Sequence, residues 1–203
     1  MAEQDLFGDV PAPVAQPRQA RKTRPQAAPP QHTWFFALRP DAADAARLDA
    51  FAETLLALHG VIGKRVGPDR LHITLELVGH DSEASVVEAA CRAADALRFP
   101  AIDARFDAAV TFSAPSGPFV LLGGEGLNGV RELRTALGCA LAEHGFNPSR
   151  NFEPHMTLCY DPRNRVERIA IDAIGFQIAE FALVKSHIGL SRHEVLRVWP
   201  LNG

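Results

Sequence analysis

"RLHITLELVG", Arg70 to Gly79, decides the architecture. Leu71, Ile73, Leu75 and Leu77 alternate with Arg70, His72, Thr74 and Glu76, which is the period-2 pattern of a strand with one face in a core. Side chains at i and i+2 share a face, so His72 and Thr74 project together while Ile73 points the other way. Further on, "FEPHMTLCY" (Phe152 to Tyr160) repeats the arrangement, with His155 and Thr157 around Met156. Eight histidines, seven threonines and 21 leucines in 203 residues give roughly 0.03 chance copies of His-x-Thr-Leu. A single His-x-Thr on a strand reads as a polar outer face; a matched pair reads as a site.

The rest of the chain is organised around these two strands. "WFFAL" (Trp34–Leu38) is a short apolar run closed by Pro40, a buried strand. The spacing of Ala45, Leu48, Phe51, Ala52, Leu55 and Leu58 predicts a helix with Asp41 as N-cap and Gly60 at its end. A second helix follows the first motif, capped by Asp81 or Ser82, with Val86, Val87, Ala90 and Leu97 as its apolar stripe. Residues 101–112 alternate as a strand, "SAPSGP" turns, and "FVLLGG" returns, which makes a hairpin. A third helix carries Val130, Leu133, Leu137 and Leu141 on one face and ends at Gly145. "IDAIGFQIAEFALVKSHIGL" and "EVLRVWPL" read as two closing strands. Helix–strand pairs alternating with hairpins argue for an α+β fold rather than a parallel doubly wound sheet. Each His-x-Thr strand follows an amphipathic helix, the trace of a duplicated helix–strand unit.

Composition narrows the classes. The apolar fraction of 47% supports a core, and no apolar run is long enough for a transmembrane helix. No basic segment followed by an apolar one marks a secretory signal. Cys91, Cys139 and Cys159 are too few and too scattered for a disulfide framework, so a reducing cytoplasm is expected. Residues 1–31, rich in Pro, Ala and Gln, are expected to be a disordered tail before a domain spanning 32–203. Its opening "EQDLFG" is a candidate peptide ligand for a protein partner; no stable protein partner and no membrane is expected, and a monomer is. The tail carries +1 and the remainder −4 of the net −3. An extended phosphate-gripping track needs a basic protein, so the candidate is a small site that reads one phosphate or one RNA end.

Two imidazoles and two hydroxyls around one cleft suit cleavage of a phosphoester. Histidine titrates near neutrality, so one can accept a proton from the attacking group while the other donates to the leaving oxygen. Threonine hydroxyls can hold the non-bridging oxygens. Arg70 and Glu76 share the face with His72; Arg70 can steer a phosphate, or the two can be solvated strand residues. His32, His59, His80 and His144 lie near element ends and read as surface. His155 and Cys159 share a face by strict alternation, but no closed ligand set completes a metal site. There is no GxGxxG, GxxxxGK[ST] or GxSxG motif.

"HITLELVG" and "HMTLCY" resemble the paired motifs of the two-histidine phosphoesterase superfamily, and within it the RNA 2',3'-cyclic phosphodiesterase family, historically called 2'-5' RNA ligases. "WFFALRP" resembles its opening strand, "GFNPSRNFEPHMTL" its lead-in to the second motif, and "LVKSHIG" with "HEVLRVWPL" its closing strands, over about residues 33–201. The resemblance implies two pseudo-symmetric lobes of antiparallel sheet with helices outside and a central cleft. It implies hydrolysis of RNA 2',3'-cyclic phosphate ends to 2'-phosphates without metal or cofactor. His72 would be the proton donor, His155 the acceptor, and Thr74 and Thr157 the phosphate ligands. The chain departs from the pattern at Tyr160, where the family has Arg, and at His193, where it often has Tyr. Tyr160 falls on the face opposite His155 by strict alternation, and with Arg70 it is a candidate substrate-binding residue; Arg150, Arg163 and Arg165 are nearby loop cations. Two alternatives stand beside this reading: a phosphodiesterase for small cyclic-phosphate nucleotides or 2'-5' linked oligonucleotides, and a non-catalytic nucleotide-binding module on the same fold.

Overall fold

The computed structural model describes residues 29–202, so all but the last three residues of the expected tail lie outside the described part. In chain order the elements are β1 (His32–Leu38), α1 (Ala42–Leu58), β2 (Lys64–Arg65), a 3-10 turn (Pro68–Arg70), β3 (Ile73–His80), α2 (Ala84–Asp95), β4 (Ile102–Thr111), β5 (Pro118–Leu122), α3 (Asn128–Glu143), β6 (His155–Tyr160), β7 (Ile169–Ile178), β8 (Glu180–His187) and β9 (Arg192–Pro200). The strands lie in the order β7-β4-β5-β6-β3-β1-β8-β9, with β2 beside β6, and every pairing is antiparallel. This is the α+β architecture expected.

The two halves, β7-β4-β5-β6 and β3-β1-β8-β9, meet where Ile73 pairs with Met156. Each half contains the same unit: strand, helix, motif strand, as β1-α1-β3 and β5-α3-β6. All three helices contribute to one apolar cluster with Phe36, Leu38, Ile73, Phe119, Leu121 and Met156 from the strands. They therefore cover one sheet face and leave the other for the cleft. Asp41 caps α1 through its carboxylate on the Asp44 amide, and Val130, Leu133, Leu137 and Leu141 are all buried as the helical period requires. Leu58, expected in the stripe of α1, is 76% exposed in its last turn.

Four expectations need correction. Asp81 does not cap α2, whose N-cap is Glu83 without a side-chain bond. Instead the Asp81 carboxylate accepts from the backbone amides of Gln31 and His32 and pins the start of β1. His32 is half-buried there rather than a surface residue. The stretch read as one strand from Ile171 is two, because Ala179 separates β7, which pairs with β4, from β8, which pairs with β1. Both strands are apolar in sequence, so periodicity alone gave no break between them.

The fourth correction decides the site. Ala37 pairs with Thr74 but Phe36 with Glu76, so Leu75 is an extra residue in β3. Val120 pairs with Thr157 but Phe119 with Cys159, so Leu158 is an extra residue in β6. Both bulges fall at the Leu of His-x-Thr-Leu. A bulge of one residue turns the side chains after it to the opposite face, in β3 until a second bulge at Val78. Glu76 and Cys159, expected beside the histidines, turn to the helix side and are buried. Leu77 and Tyr160, expected on the other face, turn to the cleft side and are 47% and 40% exposed.

Candidate active site

The cleft floor is built by register. With Ile73 against Met156, antiparallel pairing sets His72 beside Thr157 and Thr74 beside His155. The four side chains form a two-by-two block, each histidine facing the other strand's threonine. The histidines occupy a diagonal, with Cα atoms about 7–8 Å apart. Among the expected site residues, the fold thus brings His72, Thr74, His155 and Thr157 together, and all four are half-buried. Arg70 ends the 3-10 turn just before His72, and Tyr160 follows Thr157 on the cleft face, so both lie toward the same end of the block.

Each ring is oriented by the same device. His72 Nδ1 lies 2.6 Å from the Arg70 carbonyl oxygen, and His155 Nδ1 lies 2.8 Å from that of Glu153. A carbonyl only accepts, so Nδ1 carries the hydrogen in both rings, and both Nε2 atoms remain for a ligand. An aromatic ring backs each imidazole: Phe35 of β1 at 5.2 Å from His72, and Phe112 at 5.0 Å from His155. The device is therefore duplicated along with the strand.

The electrostatics are not duplicated. His193 of β9 stacks edge-on to His72 at 5.2 Å and to Phe35 at 5.6 Å. β9 is three strands from β3, so the β8–β9 hairpin curls over the cleft face. Burial pushes the His72 pKa down to about 4; the Arg70 carbonyl opposes this, while His193, His155 and Arg39 add to it. Burial, then Arg70 and Arg39, hold His193 below the ordinary imidazole range as well. His72 is thus neutral in the free protein at pH 7, where a proton donor would have to be charged.

Sequence reasoning passed over Arg39 as a site residue. The signal was the alternation Phe35, Ala37, Arg39 on β1, which continues the cleft face one step past the strand. Extending the β1–β3 register from Leu38↔Ile73 by one residue sets Arg39 beside His72. Beside His155, an open depression of about 600 Å³ is lined by Phe112, Arg150, Asn151, Phe152 and Glu153. Arg165 donates to the Phe112 and Ala114 carbonyls and braces that wall. Beneath it, on the helix side, Glu76 pairs with Arg134, whose guanidinium also donates to the Ser149 carbonyl in the loop leading to His155. Among the described residues no group of three or more His, Cys, Asp or Glu is placed to hold a metal ion, and Cys159 faces away from His155. No helix among them is long and apolar enough to cross a membrane.

Residues 35–189 match the 2'-5' RNA ligase superfamily. The crystal structure of apo LigT from E. coli superposes with a TM-score of 0.68 at 26% identity, covering 87% of this chain and 100% of LigT. LigT complexed with 3'-AMP gives the same score and identity over 86% and 100%. A protein of Thermus thermophilus shares the fold at 21% identity, with a TM-score of 0.67 over 84% and 98%. No curated protein matches the chain.

Proposed function

On the premise that this chain belongs to the 2'-5' RNA ligase superfamily, we propose that it is a phosphodiesterase that opens 2',3'-cyclic phosphates at RNA ends by paired-histidine acid–base catalysis. The observation that carries this reading is the block of His72, Thr74, His155 and Thr157, with both Nδ1 hydrogens engaged on carbonyls and both Nε2 atoms left for substrate. The capture of 3'-AMP by LigT supports a nucleotide phosphate as the ligand of such a cleft.

In the step, water attacks phosphorus and the bond to the 3'-oxygen breaks. His155 takes the proton of the attacking water through Nε2, and His72 gives a proton to the departing 3'-oxygen. The products are a 2'-phosphate and a 3'-hydroxyl. Thr74 and Thr157 donate to the non-bridging oxygens, where negative charge builds. His72 becomes competent to donate only when substrate arrives, because an anion within about 4–6 Å raises an imidazole by about 1–3 pH units.

A second reading exchanges the two roles. Its support is the neutral state of His72 in the free protein, which suits an acceptor. A substrate with sulfur at the bridging 3' position separates the two, since a thiolate leaves without an acid. The variant lacking the acid recovers on that substrate, and the variant lacking the base does not.

The test of the function is turnover of a short RNA ending in a 2',3'-cyclic phosphate, with EDTA present, in wild type, His72→Ala and His155→Ala. Release of a 2'-phosphate that falls about 10²–10⁴-fold in each variant is expected. Absence of turnover in wild type would move the assignment to a nucleotide-binding module, and full turnover in both variants would overturn the paired-histidine mechanism.

A further inference from the structure

The pseudo-two-fold of the sheet makes the two ends of the cleft comparable position by position. Arg70 and Glu153 are equivalent, each standing two residues before its histidine and each lending its carbonyl to that ring. Arg39, beside His72 on β1, corresponds to Leu122, which pairs with His155 on β5. So the His72 end presents two guanidinium groups and His193, where the His155 end presents Leu122, Arg150 and Glu153, with the Glu153 carboxylate held by Arg131 at 3.3 Å. A symmetric scaffold has acquired different charged groups at the two ends of its cleft.

Arg39 is also incompletely satisfied. Its Nη2 donates to the Asp69 carbonyl at 2.9 Å, which holds the side chain in place. Its Nε is buried and has no hydrogen-bond partner among the described residues. That Nε has no exposed surface, as that of Arg134 has none, so what Arg39 can offer an anion is its outer guanidinium N–H groups. Asp69 brings one carboxylate close enough to act on His193, against the two arginines that act on it in the opposite sense. Next to Arg39 a groove of about 450 Å³ is floored by Ala37, Ala182, Val195 and Val198 and bordered by Asp41 and Glu180. Its apolar floor can receive a base, with the Arg39 guanidinium and two carboxylates at its edge.

We propose that Arg39, with Arg70 and His193, forms a second anion subsite beside the histidine pair, which takes the phosphate on the 5' side of the nucleotide whose own phosphate lies between His72 and His155. The inference rests on the phosphodiesterase reading and narrows it to substrates carrying two phosphates. It also orients the substrate, since the His72 end sets two guanidinium groups side by side while the His155 end sets Arg150 beside the Glu153 carboxylate. The second phosphate can be a phosphodiester of an RNA chain or the terminal phosphate of a small nucleotide.

Calorimetric titration of the full chain with 3'-AMP, adenosine 3',5'-bisphosphate and a dinucleotide ending in a 3'-phosphate tests this without turnover. Wild type is expected to bind the bisphosphate at least about ten-fold more tightly than 3'-AMP, an advantage that shrinks as salt rises. Arg39→Met should erase most of the advantage, and Arg39→Lys should keep part of it. A gain shared by the dinucleotide supports an RNA phosphodiester in the subsite; a gain confined to the bisphosphate supports a small-nucleotide phosphate. Equal binding of 3'-AMP and the bisphosphate by wild type would overturn the subsite while leaving the phosphodiesterase reading intact. So would an Arg39→Met variant that weakens both compounds equally, because Arg39 would then hold the reacting phosphate. Failure of all three compounds to bind would overturn both readings.

Discussion

Lowering the pH should unfold this protein partly through one side chain. The folded pKa of His72 is about 4, against an ordinary 6.5, because burial between Phe35 and His193 excludes the charged form. Between those two values the unfolded chain binds more protons than the folded one, so stability rises with pH. The contribution is fully present above about 6.5 and is lost as the pH falls toward 4. The gap corresponds to about 3 kcal/mol, a large share of the 5–15 kcal/mol typical of a domain. Urea unfolding at pH 7, 5.5 and 4 measures it in a His193→Gln background, comparing the protein that keeps His72 with His72→Gln, which does not titrate. The protein that keeps His72 should lose up to about 3 kcal/mol more than the other across this range. Groups remote from His72 cancel in the difference, and His193, which touches it, is replaced by Gln in both proteins. Proton NMR of the His72 ring gives the pKa directly, and inorganic phosphate should raise it. A ring that titrates near 6.5, or equal losses in the two proteins, would refute the argument that burial governs this imidazole.

Two further predictions concern the bulges and the layer under the site. With Cys91 and Cys139 replaced by Ser, Cys159 should resist a thiol reagent until the protein is unfolded, because the bulge at Leu158 turns it into the core; rapid labelling of the native variant would place it on the cleft face and refute the bulge. Glu76→Ala should cost about 3–5 kcal/mol by leaving Arg134 buried without its partner. Glu76→Leu combined with Arg134→Met should recover much of that loss, and a double variant as unstable as Glu76→Ala would show that the pair does more than balance charge.

Much of the site was legible because it depends on short-range geometry. His-x-Thr places two polar groups on one face of any strand, and four of four motif residues fall on the cleft face. The helix stripes of α1 and α3 and the Asp41 cap follow from local spacing in the same way. What was not legible begins at the fourth motif residue. Nothing in "HITLE" or "HMTLC" distinguishes a Leu in regular pairing from a Leu in a bulge, since both are buried and apolar. The inward turn of Glu76 is explained only by Arg134, which comes from a helix much later in the chain. Asp81 has a sequence suited to a helix cap, yet the amides of Gln31 and His32 reach it first.

The sequence by itself determined that two equivalent strands would each offer a histidine and a threonine, because strand periodicity needs no partner. It also determined the α+β class, through the order of its helical and alternating segments. The tertiary structure alone decided that the strands meet at Ile73 and Met156, which turns two motifs into one site. It decided too which neighbours each histidine receives. His193 and Arg39 reach His72 across the curled sheet, whereas Phe112 and Leu122 flank His155. Pairing register and sheet curvature are properties of several strands at once, and the difference between two chemically identical imidazoles resides there.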